Sequence, residues 1–288
     1  MLTIQEGVGI GEMKSEPLPN CHLSSILFVL YIPVNPMLLG GRTLPDFDVS
    51  IVIACYNEAT HLEQSVQELM KVMDWTRYRY EMIFVDDCSR DGTPDLILRI
   101  VRRHGDTHAF KTLFHAGNTG RGGAVMDGFR MAEGRVIGYL DIDLEVHARY
   151  IPAMVDAVMD GWDVATAFRV YKVGKGVLIR HVMSHAYRWI SRAILRTRSR
   201  DTETGFKFFS RERILPVLKE TRHTGWFWDT EVMAISEVFG LRMIEIPCLF
   251  IRRRDKTSTL RVWRASLDYL GNLIRFRRQL RALRASRP

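Results

Sequence analysis

The chain alternates between short unbroken apolar runs and longer segments whose apolar residues recur every three or four positions. Val49 to Cys55 is an apolar, β-branched run with the length of a buried parallel strand. Leu62, Val66, Leu69, Met70 and Met73 follow at helical spacing, and Thr60 with Glu63 makes a capping box at their start. Tyr80 to Val85 reads as a second strand, ending in Asp86 and Asp87. Thr93-Pro94 opens the next helix, with proline where its missing N–H would be unpaired anyway. A strand is predicted near Phe110 to Phe114, then a glycine-rich turn from Asn118 to Gly123 and a helix from Ala124 to Ala132. Gly134 is the expected C-cap, and Val136 to Leu140 is another buried strand, ending in Asp141-Ile142-Asp143.

This alternation predicts an α/β fold: a doubly wound, mostly parallel sheet flanked by helices. Polar residues collect at the C-terminal ends of the strands, the edge at which open α/β sheets bind ligands. Beyond Asp163 the pattern is less regular. It predicts a strand over Val164 to Phe168, a long basic helix over Val177 to Arg196, and helices over Arg213 to Lys219 and Asp229 to Phe239. A strand over Leu241 to Ile251, interrupted at Pro247, and a long C-terminal amphipathic helix over Leu260 to Leu283 complete the reading. The expected organisation is an N-terminal extension or linker over 1–48, one catalytic-sized domain over 49–259, and a basic amphipathic helix and tail over 260–288.

Charge sharpens this picture. The formal net charge is +8, but Arg252 to Pro288 holds twelve Lys and Arg against two acids, a net +10, which leaves −2 for the rest. A basic end of this kind attracts nucleic acid, anionic lipid or a phosphorylated substrate. No nucleic-acid reading motif accompanies it, and the aromatics form no stacking platform, so no nucleic-acid partner is expected. Cys21, Cys55, Cys88 and Cys248 have no metal-ligand spacing and read as reduced thiols of a cytosolic protein. The N-terminus lacks the basic start of a secretory signal. Leu23 to Leu39 is apolar but carries Pro33, Asn35 and Pro36, so it reads as a surface or docking segment rather than a span. Membrane contact is expected to be peripheral, from the cytoplasmic side.

Asp141 and Asp143 stand two apart at a strand end, where extended backbone would point both carboxylates the same way, with Glu145 continuing that side. Oxygen ligands of this type select Mn²⁺ or Mg²⁺. A solvated acidic loop is the alternative. Arg180 and Ser184 lie four apart on the predicted basic helix, so a guanidinium and a hydroxyl share one face and suit a phosphate. Arg188, Arg192 and Arg196 make a plain solvated face the alternative there. Asp201, Asp229 and Glu231 are further candidate carboxylates, with helix capping as the other reading of Asp229. In the last helix Trp263, Leu267, Leu270 and Ile274 repeat at three and four residues, widened by Leu273, Phe276, Leu280 and Leu283, with arginines interleaved. The first half is expected to pack on the domain and the last dozen residues to lie apolar side down in a membrane interface.

Read together, these motifs resemble the family 2 glycosyltransferases of GT-A fold, a Rossmann-like architecture, and within them the dolichol-phosphate or polyprenyl-phosphate mannose and glucose synthases. Ala54-Cys55-Tyr56-Asn57-Glu58 is similar to P-x-Y-N-E, and Val85 to Thr93 matches V-D-D-x-S-x-D-G-T. Asn118 to Ala124 resembles N-x-G-K-G-x-A, with Arg121 at the lysine position. Asp141 to Leu144 matches D-A-D-L, Asp201 to Lys207 resembles D-x-x-x-G-F-[RK], and Trp228 to Glu231 resembles F-D-x-E.

The resemblance implies an inverting transfer of a hexose, mannose or glucose, from GDP- or UDP-sugar to a polyprenyl monophosphate. A glycan or small soluble acceptor is the alternative. It implies that Ala54, Tyr56, Glu58, Val85, Asp87, Asp141, Ile142, Asp143, Arg169 and Arg253 contact the donor. It implies Asp141, Asp143 and Glu145 around the metal, and Arg169, Arg180 and Ser184 on the acceptor phosphate. Asp143, Asp229 and Arg180 are the candidate catalytic residues. Arg253 and Ser258 match an R-x-x-x-x-S loop, with Thr259 where lysine is usual and Lys256 nearby. A phosphate monoester has a second pKa near ~6, so the acceptor is already a dianion at neutral pH and needs no strong general base. An anionic membrane surface is the expected partner of the tail.

Overall fold

The computed structural model describes residues 28–32, 47–171, 191–252 and 262–286. Its strands are β1 (Phe28–Ile32), β2 (Val49–Cys55), β3 (Tyr80–Asp86), β4 (Ala109–Phe114), β5 (Val136–Leu140), β6 (Val164–Tyr171), β7 (Phe206–Ser210) and β8 (Met243–Phe250). Its longer helices are α1 (Leu62–Asp74), α2 (Thr93–His104), α3 (Arg121–Met131), α4 (Ile151–Met159), α5 (Arg211–Leu218), α6 (Trp228–Val238) and α7 (Val262–Ala285). Among the described residues the strands form one sheet, in the order β1-β4-β3-β2-β5-β7-β6-β8. β2, β3, β4, β5, β6 and β8 run parallel, while β1 and β7 run against their neighbours.

The unbroken apolar runs are explained by helices on both faces. In β2, Ile51 and Ile53 join a core with Leu62, Val66 and Leu69 of α1, Leu96 and Ile97 of α2, and Met154 and Val155 of α4. Val52, pointing the other way, joins Val125 and Phe129 of α3, Val232 of α6 and Phe276 of α7. Each fully buried side chain of this size contributes roughly 1.5–3 kcal/mol. Two glycines allow the sheet and its cover to close. A Cβ on Gly128 would lie 2.4 Å from Val52, and one on Gly138 would lie 2.2 Å from the Phe208 ring across the β5–β7 pair.

Several expectations change. The helix after β2 begins at Leu62, with His61 as N-cap and no side-chain cap bond, so the Thr60–Glu63 capping box does not form. The Glu58 carbonyl already accepts from the His61 and Leu62 N–H groups, and that turn starts the helix. β7 was not predicted. Its alternation places Phe206 and Phe208 in one core and Phe209 in the other, with the buried Lys207 also on that second side. β8 runs unbroken through Pro247, which is exposed. β8 is the edge strand beyond β6, where a proline removes no ladder bond. Within the segment read as an extension, residues 28–32 add β1 antiparallel to β4.

α7 also corrects the sequence reading. Leu273, Phe276 and Leu280 are buried against the domain, with the Phe276 ring 5.6 Å from Phe227. Gln279 Nε2 donates to the Glu220 carbonyl at 3.0 Å and Arg284 Nη2 to the Leu195 carbonyl at 2.9 Å. The apolar side of the last dozen residues therefore packs on protein, not on lipid. What faces outward is Ile274 with Arg275, Arg278 and Arg281. No helix among the described residues is long and apolar enough to cross a membrane.

Candidate active site at the carboxyl rim

The parallel strands end together, and their following loops are tied to one another. After β2, the Asn57 N–H donates to Ser89 Oγ at 2.9 Å, the Arg90 N–H to Asn57 Oδ1 at 2.8 Å, and the Glu58 N–H to Thr93 Oγ1 at 2.8 Å. The motifs at the ends of β2 and β3 are thus one braced unit. Tyr56 stands 47% exposed on it, with Ala54 and Glu58 half-buried. Val85 is buried within β3.

Asp87 has a different place from the one the resemblance implies. It is 3% exposed, and its carboxylate accepts from the Thr119 N–H at 2.7 Å, Thr119 Oγ1 at 2.9 Å and the Gly120 N–H at 2.8 Å. His115 Nδ1 lies 2.9 Å from Oδ1. Burial alone would raise the Asp87 pKa, but these bonds outweigh it and hold the carboxyl below its usual range. The same contact lifts the His115 pKa above its ordinary value, against burial. Asp87 therefore anchors the glycine-rich loop in this structure. Gly120 has φ 90°, and a Cβ there would lie 2.7 Å from the Thr224 carbonyl oxygen, so the loop also seats against residues 224–225.

β5 ends at Leu140, and Asp141 to Leu144 is a turn closed by the Leu144 N–H on the Asp141 carbonyl at 3.1 Å. Leu144 has φ 51°. The extended geometry expected for the acidic pair is replaced by this turn. Asp141 keeps a 42% exposed side chain, Asp143 is 8% exposed, and the Glu145 N–H donates to Asp143 Oδ1 at 3.3 Å. Asp141, Asp143 and Glu145 do not gather as a three-residue metal cluster, and no such cluster occurs among the described residues. The Asp141 and Asp143 carboxylates nevertheless offer hard oxygen donors at the rim, which fits Mn²⁺ or Mg²⁺. The space beside Asp141 is kept by Gly205, where a Cβ would lie 2.1 Å from Asp141 Oδ2.

Asp141 has a partner that the sequence did not reveal. Arg121, at the start of α3, bonds Asp141 Oδ1 through Nε at 3.0 Å and Nη2 at 2.5 Å, and Asp229 Oδ2 through Nη1 at 2.5 Å. Asp229 is 2% exposed and also meets the Tyr139 hydroxyl and Lys207 Nζ. Asp229 sits in the first turn of α6, where an acid is favoured, but it is not the N-cap, which is Phe227 and makes no side-chain cap bond. Burial depresses the Lys207 pKa despite the neighbouring Asp229 carboxylate. Burial also opposes the charge on Arg121, but Asp141 and Asp229 outweigh it and raise its pKa. Trp226, 60% exposed, lies with its ring 5.0 Å from the Arg121 guanidinium.

On the other side of the rim, Arg169 lies within β6 and forms a two-pronged pair with Asp201, both bonds 2.7 Å. Asp201 is fully buried, while the Arg169 side chain keeps 17% exposure and also lies 3.9 Å from Glu203. Glu231 accepts from the Arg222 and His223 N–H groups at 2.9–3.1 Å, pinning the loop that carries Trp226. Burial raises the Glu231 pKa to about 7. Arg180, Ser184, Arg253, Lys256, Ser258 and Thr259 lie outside the described residues.

The family profile "Glycosyl transferase family 2" matches residues 50–214, which takes in β2 to β7, the braced loops and the acidic turn. The chain belongs to glycosyl transferase family 2. Glycosyltransferase AglD of Haloferax volcanii is 31% identical over 213 residues, covering 72% of this chain and 34% of that protein. The chain thus spans about a third of that relative's length. The dolichyl-phosphate beta-glucosyltransferase of Drosophila melanogaster is 26% identical over 256 residues, covering 81% of this chain and 77% of that protein. Among solved structures, mannosyltransferase PcManGT from Pyrobaculum calidifontis, in complex with GDP-Man and Mn²⁺, has a TM-score of 0.54 at 18% identity, covering 83% of this chain and 69% of that one. Glucosyl-3-phosphoglycerate synthase from Mycobacterium tuberculosis, with Mn²⁺ and UDP, has a TM-score of 0.52 at 18% identity, covering 84% and 80%. These structural likenesses place the family 2 domain in the GT-A fold.

Proposed function

We propose that this glycosyltransferase moves a hexose, mannose or glucose, from a GDP- or UDP-sugar to a polyprenyl monophosphate at the cytoplasmic face of a membrane, with inversion at the transferred carbon. The observation that carries the reading is the Asp141–Asp143 turn at the carboxyl rim, beside the braced loops that bear Tyr56 and Glu58. Two relatives named as dolichyl-phosphate beta-glucosyltransferases support the lipid acceptor.

Asp141 and Asp143 are the residues that would hold Mn²⁺ or Mg²⁺, which when bound offsets negative charge on the departing nucleoside diphosphate. Tyr56, with nearly half its surface exposed, offers a face for the base, and Glu58 an acceptor for a hydroxyl donor. Asp87 acts through the loop it anchors. Arg121, Lys207 and the Tyr139 hydroxyl hold Asp229 so that its oxygens are directed. The chain's main task is alignment, because the acceptor phosphate is already nucleophilic. Arg180 and Ser184 on the acceptor, Arg253 on the donor and Glu145 beside the cation remain part of this proposal.

The outward Arg275, Arg278 and Arg281 of α7 supply the membrane contact, by charge rather than by apolar insertion. Each contributes about 1 kcal/mol near anionic lipid. The test is a panel of GDP- and UDP-hexoses with Mn²⁺ or Mg²⁺, run with polyprenyl phosphate in anionic or neutral vesicles and with soluble phosphorylated acceptors. Lipid-linked hexose formed faster on anionic vesicles is the expected result. Product with soluble acceptors alone would overturn the lipid reading.

A further inference from the structure

Arg121 opens α3, yet its guanidinium serves no helix carbonyl. It bridges two acids from different elements, Asp141 after β5 and Asp229 on α6, through three bonds of 2.5 to 3.0 Å. Its side chain is 11% exposed. The Tyr139 and Trp226 rings lie 5.3 and 5.0 Å from its guanidinium carbon. A Cβ on Gly205 would come within 2.2 Å of Nη2, so the backbone presses on it from a further side. A positive charge confined this closely, at bonding distance from one member of the acidic pair, acts on any cation that the pair attracts.

We infer that Arg121 is a resident counter-charge that weakens divalent-cation binding at Asp141 and Asp143, and that the charge of a nucleoside diphosphate relieves this repulsion, so that cation and donor load together. The inference rests on the cation reading above. Like charges a few ångströms apart in a partly dry site repel far more than in water. A diphosphate brings negative charge to both, and a guanidinium fork suits phosphate oxygens. The coupling is reciprocal: whatever factor the nucleotide adds to cation affinity, the cation adds to nucleotide affinity.

The test measures Mn²⁺ binding to the full chain, by electron paramagnetic resonance of free Mn²⁺, without and with GDP or UDP. Wild type, Arg121→Met and Arg121→Lys are compared, with thermal melting as the folding control. Without nucleotide, Arg121→Met should bind Mn²⁺ at least about tenfold tighter than wild type, and its gain from nucleotide should shrink by a similar factor. Arg121→Lys keeps the charge and loses the fork, so its nucleotide-free affinity should stay within about threefold of wild type. A folded Arg121→Met that binds Mn²⁺ as weakly as wild type overturns the inference while leaving the cation reading intact. Should Arg121→Met fail to fold, wild type and Arg121→Lys carry the test. A wild-type affinity indifferent to nucleotide, or an Arg121→Lys affinity tenfold tighter, overturns it. No Mn²⁺ binding by wild type even with nucleotide removes the cation reading and this inference together.

Discussion

The sheet carries a charge cluster at each end, and the two are built for different ends. At the amino end, Lys111 Nζ lies 2.9 Å from Glu81 and 2.9 Å from Glu133 and donates to the Met131 carbonyl at 2.9 Å. Ser50 Oγ donates to Glu81 Oε1 at 2.5 Å, and the Gly134 N–H donates to Ser50 Oγ at 2.8 Å. Lys111 and Glu81 are 5% and 1% exposed, so the cluster serves the joint between β2, β3, β4 and the end of α3. At the carboxyl end, Arg121 is likewise covered, between the buried Asp229 and Asp141, which is 42% exposed, much as Glu133 is 47% exposed at the amino end. Each cluster thus sets a covered cation between one buried and one half-open acid. They differ in place: Asp141 lies beside Asp143 and the braced loops at the carboxyl rim, the edge at which open α/β sheets bind ligands, and Glu133 lies at the opposite edge.

Substitutions should separate the two. Lys111→Met strands the buried Glu81 charge and should cost about 3–5 kcal/mol in denaturant unfolding, with turnover of the remaining folded enzyme unchanged. Asp143→Ala should do the reverse. Transfer should fall at least ~100-fold in a product assay, while the unfolding free energy drops by less than about 1 kcal/mol. Equal stability losses in both variants would break the contrast. Gly205→Ala tests the rim more gently. Its Cβ would push Asp141 and Arg121 out of place, and kcat should fall about tenfold or more with a smaller change in melting temperature.

The smallest effect is a pH slope. Burial raises the Glu231 pKa from 4.5 to about 7, so between those values the folded chain keeps a proton that the unfolded chain gives up. Its contribution is fully present below pH 4.5 and is lost as pH rises through about 7. Glu231→Gln should flatten the decline between pH 6 and pH 7 by about 1 kcal/mol, read from chemical unfolding at each pH. Asp87, whose pKa is lowered, contributes the opposite way, losing stability as pH falls.

What was legible in the sequence was local. Val49 to Cys55 and Val136 to Leu140 announce buried strands because both faces are covered, and Thr93-Pro94 announces a helix start because proline fits only there. The acidic pair at the end of β5 is legible too, though as extended chain where the fold makes a turn. What stayed hidden depends on partners distant along the chain. Asp87 looks like a ligand contact until Thr119 and Gly120 are seen to occupy its carboxylate, 32 and 33 residues on. Arg169 looks available until Asp201 takes it. Arg121 read as a substitute for lysine, although only the fold brings it to Asp141 and Asp229. Phe206 to Ser210 is too short, and too close to a motif, to announce a strand running against the rest. In α7 the arginines are spread so widely that periodicity alone does not reveal which side meets the domain.

The reversed β7 has a consequence for how the rim is held. Because β7 runs backwards, the chain that leaves β6 at the carboxyl rim comes back to the same rim, between Tyr171 and Phe206. The intervening excursion begins beside Arg169 and ends at Gly205, against Asp141. The described part of that return, 191–205, is built into the fold: Leu195 is buried and its carbonyl accepts from Arg284 of α7, Ser199 Oγ donates to Glu245 of β8, and Asp201 holds Arg169 of β6. The acidic turn is therefore steadied from the β6–β8 side of the sheet as well as from the side of β2 and β3.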